Sequence, residues 1–472
     1  MSTHTFRAGV GRVDITQPLT MPHAAWGAQV HVFPEGIEWP MYATALVLDD
    51  GETRVVWLDL DLGAVTVEEF ETIRPIVAEI AGIDPAMVRI TVTHNHAGPP
   101  RNAWNWSGQG QGAWDAYFEA LPHHAAGATR AAMANLRPAV LNAGSGESRA
   151  AVNRREVAPS GRPVTGSNAD GPIDPEVLVV RIDSEDGNPL AAIVGYTMHP
   201  TTLGPTNKLV SPDWPGHTRA TVEELTGATC LIVQGCAGNV GPGFDGYTDD
   251  LNVVRTIGKR VGCVAAEVYL GLDVPAVDRV HERVWESGAP LSTWKKVPRE
   301  AGIPRIQLLS RTIDLPLIEQ PSLEETAKLV ESAEAHFEAL KAAGAPDEEI
   351  ALATFVVKRS NMAHQRAERF GGKTHTATTV QVLMVGDIAL AGTQGEPFVE
   401  IALAVKSRSP LPRTWFGGYT GPWLAYIPTA GEYPKGGYEV DTTPFAPEAA
   451  GILVDESVRL LEEIADRNAF TC

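Results

Sequence analysis

The segment Thr93-His94-Asn95-His96-Ala97-Gly98-Pro99 sets two imidazoles two residues apart at the end of an apolar run, Val88–Thr93. Residues two apart share a face of a strand, so His94 and His96 can point into one site before Gly98-Pro99 turns the chain. Neutral imidazole is the commonest protein metal ligand; the competing reading is a hydrogen-bonded surface pair. His199 closes a second apolar run, Ala191–Tyr196, and Pro200 stops that strand from continuing inside a sheet. A His-Pro pair alone reads as a satisfied core histidine, but its place at a strand end makes it compatible with the same site. Glu396, in Gly395-Glu396-Pro397, ends a third run. Its carboxylate can reach that rim or stabilise the start of the following helix. After a fourth run, Thr229–Gln234, the turn Gly235 to Gly243 contains Gly238, Asn239 and Gly241. Its backbone N–H groups can approach a ligand or line an oxyanion hole; the alternative is a tight structural turn in which Cys236 is only a small buried side chain.

These residues need strand ends to hold them. Further strand-like runs are Ala43–Leu48, Val55–Leu60 and Val177–Ile182, and helical spacing marks Val67–Ile80 and Ala113–Leu136. Strands alternating with helices predict an α/β fold of mixed β-sheets flanked by helices, with ligands gathered at the carboxyl ends of strands. Ser322-Leu-Glu-Glu325 is a capping box opening a helix to about Ala343, and a second helix follows from Asp347 to about Phe370. This helical excursion, about 322–370, interrupts an otherwise single domain spanning 1–472. Thr378–Met384 and Ile388–Gly392 form a hairpin, and the last helix is Pro447–Arg467.

Composition narrows the function. The chain has 472 residues, 44% hydrophobic and 20% charged, with a formal net charge of −20. That charge repels phosphate backbones and anionic lipid, which argues against nucleic-acid binding and stable membrane association. A small-molecule substrate is the expected partner, and a homo-oligomer is compatible with the many apolar strands. The N-terminus has no apolar segment of the signal-peptide kind, and the 4 cysteines show no C-x-x-C spacing, so a cytoplasmic setting is expected.

Taken together, the blocks resemble the neutral ceramidase family. Gly9-Val-Gly11-Arg-Val-Asp14-Ile-Thr16 is similar to its opening G-x-G-x-x-D-I-T, and Thr93-His94-Asn95-His96-Ala97-Gly98-Pro99 to its T-H-T-H-S-G-P. Asn153-Arg154, His199-Pro200-Thr201, Ser211-Pro-Asp213, Gly395-Glu396 and Tyr426-Ile427-Pro-Thr429 match later blocks in order. The resemblance implies one Zn2+ per chain held by His94, His199, Glu396 and Tyr426. It places His96 beside the metal as hydrogen-bond donor or acid/base, and gives Arg154 a role in stabilising oxyanion charge or holding a substrate polar group. Tyr426 is an unusual ligand and could instead stay protonated and hydrogen-bond the tetrahedral intermediate. The implied activity is zinc-dependent hydrolysis of a linear amide (N-acyl) bond through a metal-activated water.

Departures from the family pattern bear on the substrate. Gly241 stands where the pattern has the serine that contributes to amide cleavage. The family's secretory signal and C-terminal β-sandwich have no counterpart, which favours a small soluble substrate over membrane sphingolipid. Trp104 and Trp106 follow the histidine pair in a glycine-rich segment and can stack on a substrate or pack internally. They raise the alternative of a metal-dependent carbohydrate-active enzyme, hydrolase or lyase. Gly241 alone supports a second alternative, a non-catalytic binding protein. Asp14, Asp59 and Asp61 could form a second cation site, although structural roles suit them better.

Overall fold

The computed structural model describes residues 5–27, 29, 31–101, 108–299 and 303–469. Eight strands form a large mixed sheet in the order Thr229–Gln234, Pro189–Tyr196, Glu176–Ser184, Arg137–Glu147, Arg7–Asp14, Tyr42–Asp49, Arg54–Leu60, Val88–Val92. The outermost pair at each edge is parallel and the rest are antiparallel. A second sheet orders Ile306–Pro316, His375–Val385, Ile388–Thr393 and Arg413–Gly417.

Alternation along the strands explains the layering. Ala43, Ala45, Val47, Val56, Leu58 and Leu60 pack with Ile73, Val77, Leu121 and Ala125 of the helices Val67–Ala81 and Gln111–Ala134. Their alternating neighbours Leu46, Leu48, Val55 and Trp57 turn the other way and meet Leu383, Leu390 and Trp415 of the second sheet. Ala192 and Val194 bury the helices Trp214–Thr226 and Leu251–Gly271. Val380, Val382 and Ala391 of the second sheet bury Val399–Arg408 and Ala449–Ala469. The order of layers is therefore helices, large sheet, small sheet, helices. Each inner strand is apolar on both faces, as a sheet covered on both sides requires.

Gly9 and Gly11 explain the glycine spacing at the start of the chain. A Cβ on Gly11 would lie 2.3 Å from the Ala128 carbonyl oxygen, and one on Gly9 2.3 Å from that of Ala132. The helix Gln111–Ala134 thus rests directly on the backbone of the first strand. The expected helices at 323–342 and 347–370 are present, the first with its Ser322–Glu325 capping box. The exposed hairpin Val277–Glu286/Pro290–Pro298 was not anticipated; its strands pair with each other and with no other strand among the described residues. No helix among the described residues is long and apolar enough to cross a membrane.

The large sheet curls until its edges meet. Ile232 N–H donates to Asp59 at 3.2 Å, and Gln234 Nε2 donates to the Thr93 carbonyl at 3.3 Å and the Met198 carbonyl at 2.9 Å. Asp61 is also committed to structure: both its oxygens accept from Arg219, at 2.6 and 2.7 Å, and one accepts from Tyr42 N–H. Asp14 accepts from Thr16 N–H. These partners leave the three aspartates in structural roles.

Burial pushes the Asp59 carboxyl up to about 7, with Asp61 adding to the rise and Arg219 opposing it. The folded chain therefore keeps this proton between about pH 4 and 7 while the unfolded chain releases it. Its contribution to stability is full below the ordinary value of 3.8 and is lost as pH rises through 7. Asp59→Asn is expected to flatten the fall in unfolding free energy between pH 5 and 8 by roughly 2 kcal/mol. Urea midpoints at the two pH values would check this, and parallel pH profiles for both proteins would refute it.

Candidate metal centre

Four strand ends deliver the site. His94 lies just beyond Val88–Val92, His199 beyond Pro189–Tyr196, Glu396 beyond Ile388–Thr393, and Tyr419 beyond Arg413–Gly417. The first two strands belong to the large sheet and the last two to the small one, so the site straddles both at their carboxyl ends.

His94 and His96 do come together, but not by strand alternation as their spacing suggested. The strand stops at Val92, and His94 adopts a left-handed backbone with φ 63°. That conformation costs roughly 1–2 kcal/mol for a non-glycine residue. His94 N–H is tied to the Leu62 carbonyl at 2.9 Å, which holds the kink.

The imidazole tautomers follow from their partners. His94 Nδ1 lies 2.5 Å from the Gly63 carbonyl oxygen and His199 Nδ1 3.1 Å from that of Ala237. A carbonyl can only accept, so both Nδ1 atoms carry a proton and both Nε2 atoms face inward. His96 Nε2 stands 3.4 Å from His94 Nε2 and 3.1 Å from His199 Nε2. Glu396 Oε2 lies 3.2 Å from His94 Nε2 and 3.8 Å from His199 Nε2. Among the described residues this buried oxygen has no partner beyond the facing imidazoles. The Nε2 atoms of two imidazoles and a carboxylate oxygen thus converge on one point, where a cation can replace the proton they would otherwise share. Such a donor set fits a zinc-type cation bound by nitrogen and carboxylate oxygen. The three imidazoles together form a cluster able to hold a metal ion.

Electrostatics keep the donors in ligand-ready form. Burial, reinforced by His94, lowers His96 to about 3, and burial together with Arg154 lowers His199 well below its ordinary value. Burial opposes the charge on Glu396, but His94, the Trp423 indole and Arg154 outweigh it and hold the carboxyl at about 2. Trp423 Nε1 donates to Glu396 Oε1 at 3.0 Å, which leaves Oε2 to face the histidines. The ring of Tyr419 lies 4.4 Å from that of His94, tilted by 33°.

Tyr426 and Arg154 adjoin this cluster. Glu396 and Tyr426 are register partners in a short parallel pair, which sets them side by side. Arg154 Nη2 donates to the Tyr426 hydroxyl at 3.2 Å, and Arg154 Nε donates to Glu439 at 2.8 Å. Burial, with Glu396 nearby, raises the Tyr426 phenol well above 10, although Arg154 opposes the rise. Without a cation the phenol keeps its proton.

The glycine-rich turn is built as structure. Gly238 N–H donates to the Pro397 carbonyl at 3.0 Å, and a Cβ there would lie 2.4 Å from the Glu396 carbonyl oxygen. Asn239 Oδ1 accepts from Val399 N–H and its Nδ2 donates to Glu400, so this side chain holds the start of Val399–Arg408. The oxyanion-hole expectation thus finds the Gly238 N–H already committed. Gly241 pairs with Val152, beside Arg154. Burial raises the Cys236 thiol well above its ordinary value, in keeping with an inert core residue. Trp104 and Trp106 lie outside the described residues.

Sequence reasoning missed Tyr419, Trp423, Glu439 and Trp26. The doublet Gly417-Gly418 after a strand could have marked Tyr419. Nothing local marks Trp423 or Glu439. Trp26 lies with its ring 5.3 Å from that of His96 and is anchored by Nε1 to the Leu203 carbonyl at 3.1 Å.

The family model described as neutral/alkaline non-lysosomal ceramidase, N-terminal, matches residues 6–269. The neutral ceramidase of Pseudomonas aeruginosa is 25% identical over an alignment of 498 residues, which covers 97% of this chain and 72% of that protein. Neutral ceramidase A of Dictyostelium discoideum is 27% identical over 224 residues, 45% of this chain and 31% of the relative. The crystal structure of the Pseudomonas aeruginosa enzyme superposes with a TM-score of 0.67 at 22% identity, covering 98% of this chain and 75% of that one. A structure described as ceramidase complexed with C2 gives 0.69 at 20% identity, covering 98% and 76%. These solved structures share the mixed-sheet fold.

Proposed function

Since this chain belongs to the neutral/alkaline ceramidase family, we propose that it is a zinc-dependent amidohydrolase cleaving a linear N-acyl amide. The observation that carries the metal is the buried Glu396 Oε2, which faces His94 Nε2 at 3.2 Å and His199 Nε2 at 3.8 Å and meets no other donor among the described residues. Family membership supports the bond: the relatives are ceramidases, amide hydrolases.

His94, His199 and Glu396 would hold the ion, with Tyr426 and His96 as the adjoining candidates. Zinc bound there supplies an acidified water and a Lewis acid for the acyl carbonyl. The remaining steps belong to the chain. The carbonyls of Gly63 and Ala237 fix the rings of His94 and His199, and Trp423 aims the Glu396 carboxylate. Arg154, held by Glu439, presents its guanidinium beside the Tyr426 hydroxyl, where both can donate to the acyl oxygen as negative charge builds. Hydrolysis forms a C–O bond, breaks the C–N bond and moves one proton from water to the leaving amine. His96, beside the proposed ligands, is placed to hydrogen-bond the attacking water or the leaving amine.

The test is zinc content together with activity on a panel of N-acyl amides beside oligosaccharides. Wild type should retain about one zinc per chain and cleave amides, and His94→Ala should lose both properties. Full activity in metal-free His94→Ala would sink the proposal, and so would cleavage of sugars alone.

A further inference from the structure

Tyr247 places a hydroxyl in the space that Gly241 leaves open. A Cβ built on Gly241 would lie 3.1 Å from Tyr247 Oη, 3.5 Å from Arg154 Cβ and 3.8 Å from Arg154 Cδ. The phenol therefore reaches the flank of the same arginine that meets Tyr426. Tyr247 Oη is buried and has no hydrogen-bond partner among the described residues. A buried hydroxyl without a partner is costly unless something else satisfies it, and here it lies beside Arg154, whose guanidinium meets Tyr426.

The backbone is bent to put it there. Tyr247 has φ 60°, an uncommon conformation for a non-glycine residue and one concentrated at functional sites. Its surroundings hold that conformation. Tyr247 N–H donates to the Thr201 carbonyl, Thr248 N–H to that of Thr202, and Gly204 N–H to that of Thr248. A Cβ on Gly204 would lie 2.4 Å from the Tyr247 carbonyl oxygen, so this segment packs directly on the chain that follows His199. The Tyr247 ring then stands edge-on to Trp26 at 6.0 Å, and Trp26 in turn lies against His96. Tyr247, Trp26 and His96 form a continuous aromatic wall leading from Gly241 to the imidazole cluster. Burial raises the Tyr247 phenol above its ordinary value, with Arg154 opposing, so it stays a proton donor across the working range.

We infer that Tyr247 is a further catalytic residue, whose hydroxyl donates a hydrogen bond to the acyl oxygen of the substrate beside Arg154. Its catalytic part rests on the amide-hydrolase reading above. The same hydroxyl binds the carboxylate of the acyl product, which keeps that oxygen after the C–N bond breaks. No serine is needed at 241, because a hydroxyl arrives from the opposite direction.

The experiment compares wild type with Tyr247→Phe, as full-length zinc-loaded protein, by steady-state kinetics, zinc content, thermal melting and calorimetric titration with octanoate as product-class probe. Tyr247→Phe should lower kcat by about 10²-fold, the effect of removing one oxyanion donor. KM should stay within about twofold and octanoate affinity should fall by about tenfold, with zinc content and melting unchanged. Adding Gly241→Ser to Tyr247→Phe should restore part of kcat, because a serine hydroxyl can then take the vacated space. Unchanged kcat and octanoate affinity in Tyr247→Phe would overturn the inference. So would a loss of kcat accompanied by loss of zinc or a lowered melting temperature, which marks a structural role. If wild type cleaves no N-acyl amide, the amide-hydrolase reading fails, and the octanoate titration alone decides whether Tyr247 binds an acyl oxygen. A wild type that binds octanoate no better than Tyr247→Phe overturns it.

Discussion

Glu396→Gln is expected to fold normally, lose its zinc and fall in kcat/KM by on the order of 10³-fold or more. Partners one shell out from a metal are each worth roughly 10–100-fold, so a charged ligand should be worth more. The geometry makes the loss specific. In the wild type Glu396 Oε2 faces His94 Nε2 at 3.2 Å, and the neutral ring offers a lone pair there to a cation. A glutamine amide turned toward His94 would place an N–H there and hydrogen-bond that lone pair. The substitution therefore removes the negative charge and closes the site against a cation in one step. The metal-free protein should be no less stable than metal-free wild type, because a buried carboxylate has been exchanged for a neutral amide that meets its neighbour. Only zinc-loaded wild type should gain melting temperature with added zinc. Elemental analysis after gel filtration, with kinetics on the same samples, would check this. A fully loaded, fully active Glu396→Gln would remove Glu396 from the metal's coordination.

The second large effect concerns stability. Arg219→Leu is expected to cost about 3–5 kcal/mol, the usual consequence of stranding one member of a buried ion pair. The Arg219 and Asp61 side chains are 3% and 0% exposed, and two hydrogen bonds of 2.7 and 2.6 Å join them. The pair ties the helix Trp214–Thr226 to the strand-end segment that precedes Gly63, whose carbonyl fixes the His94 ring. The double variant Arg219→Leu/Asp61→Asn should recover part of the loss, because no charge is then left unmatched. Urea unfolding of the two single variants and the double variant measures the coupling. A loss below about 1 kcal/mol in Arg219→Leu would mean that water reaches Asp61.

Much of this was legible in the order of residues. The runs ending at His94 and His199 are strands because they are apolar on both faces, and a sheet sandwiched between other layers demands just that. Thr229–Gln234 and the helix starting at Asp347 fall at their expected bounds. Long periodic segments and capping residues are local signals, and local signals survive in a single sequence. Other features depend on contacts between distant segments and left no such mark. The left-handed turn at His94 is one, since a strand-like run gives no hint that it ends at Val92. The Trp423 contact to Glu396 crosses a loop with no pattern of its own. Tyr247 sits in a polar turn whose purpose appears only once Gly241 and Arg154 are placed beside it. The glycines at 238 and 241 looked like ligand-cradling positions; the structure shows close packing at Gly238 and strand pairing at Gly241.

The donors of the proposed centre come from the ends of strands in two different sheets, and their order in the chain interleaves with the elements that pack those sheets together. No contiguous stretch of this polypeptide carries the centre. Recombination that moves a segment from one gene to another could transplant a histidine pair, or a carboxylate, but never a working site. The site can therefore be inherited only with the whole two-sheet body. Diversification within such a lineage is left to residues like Tyr247, which can change one at a time while the donors stay fixed.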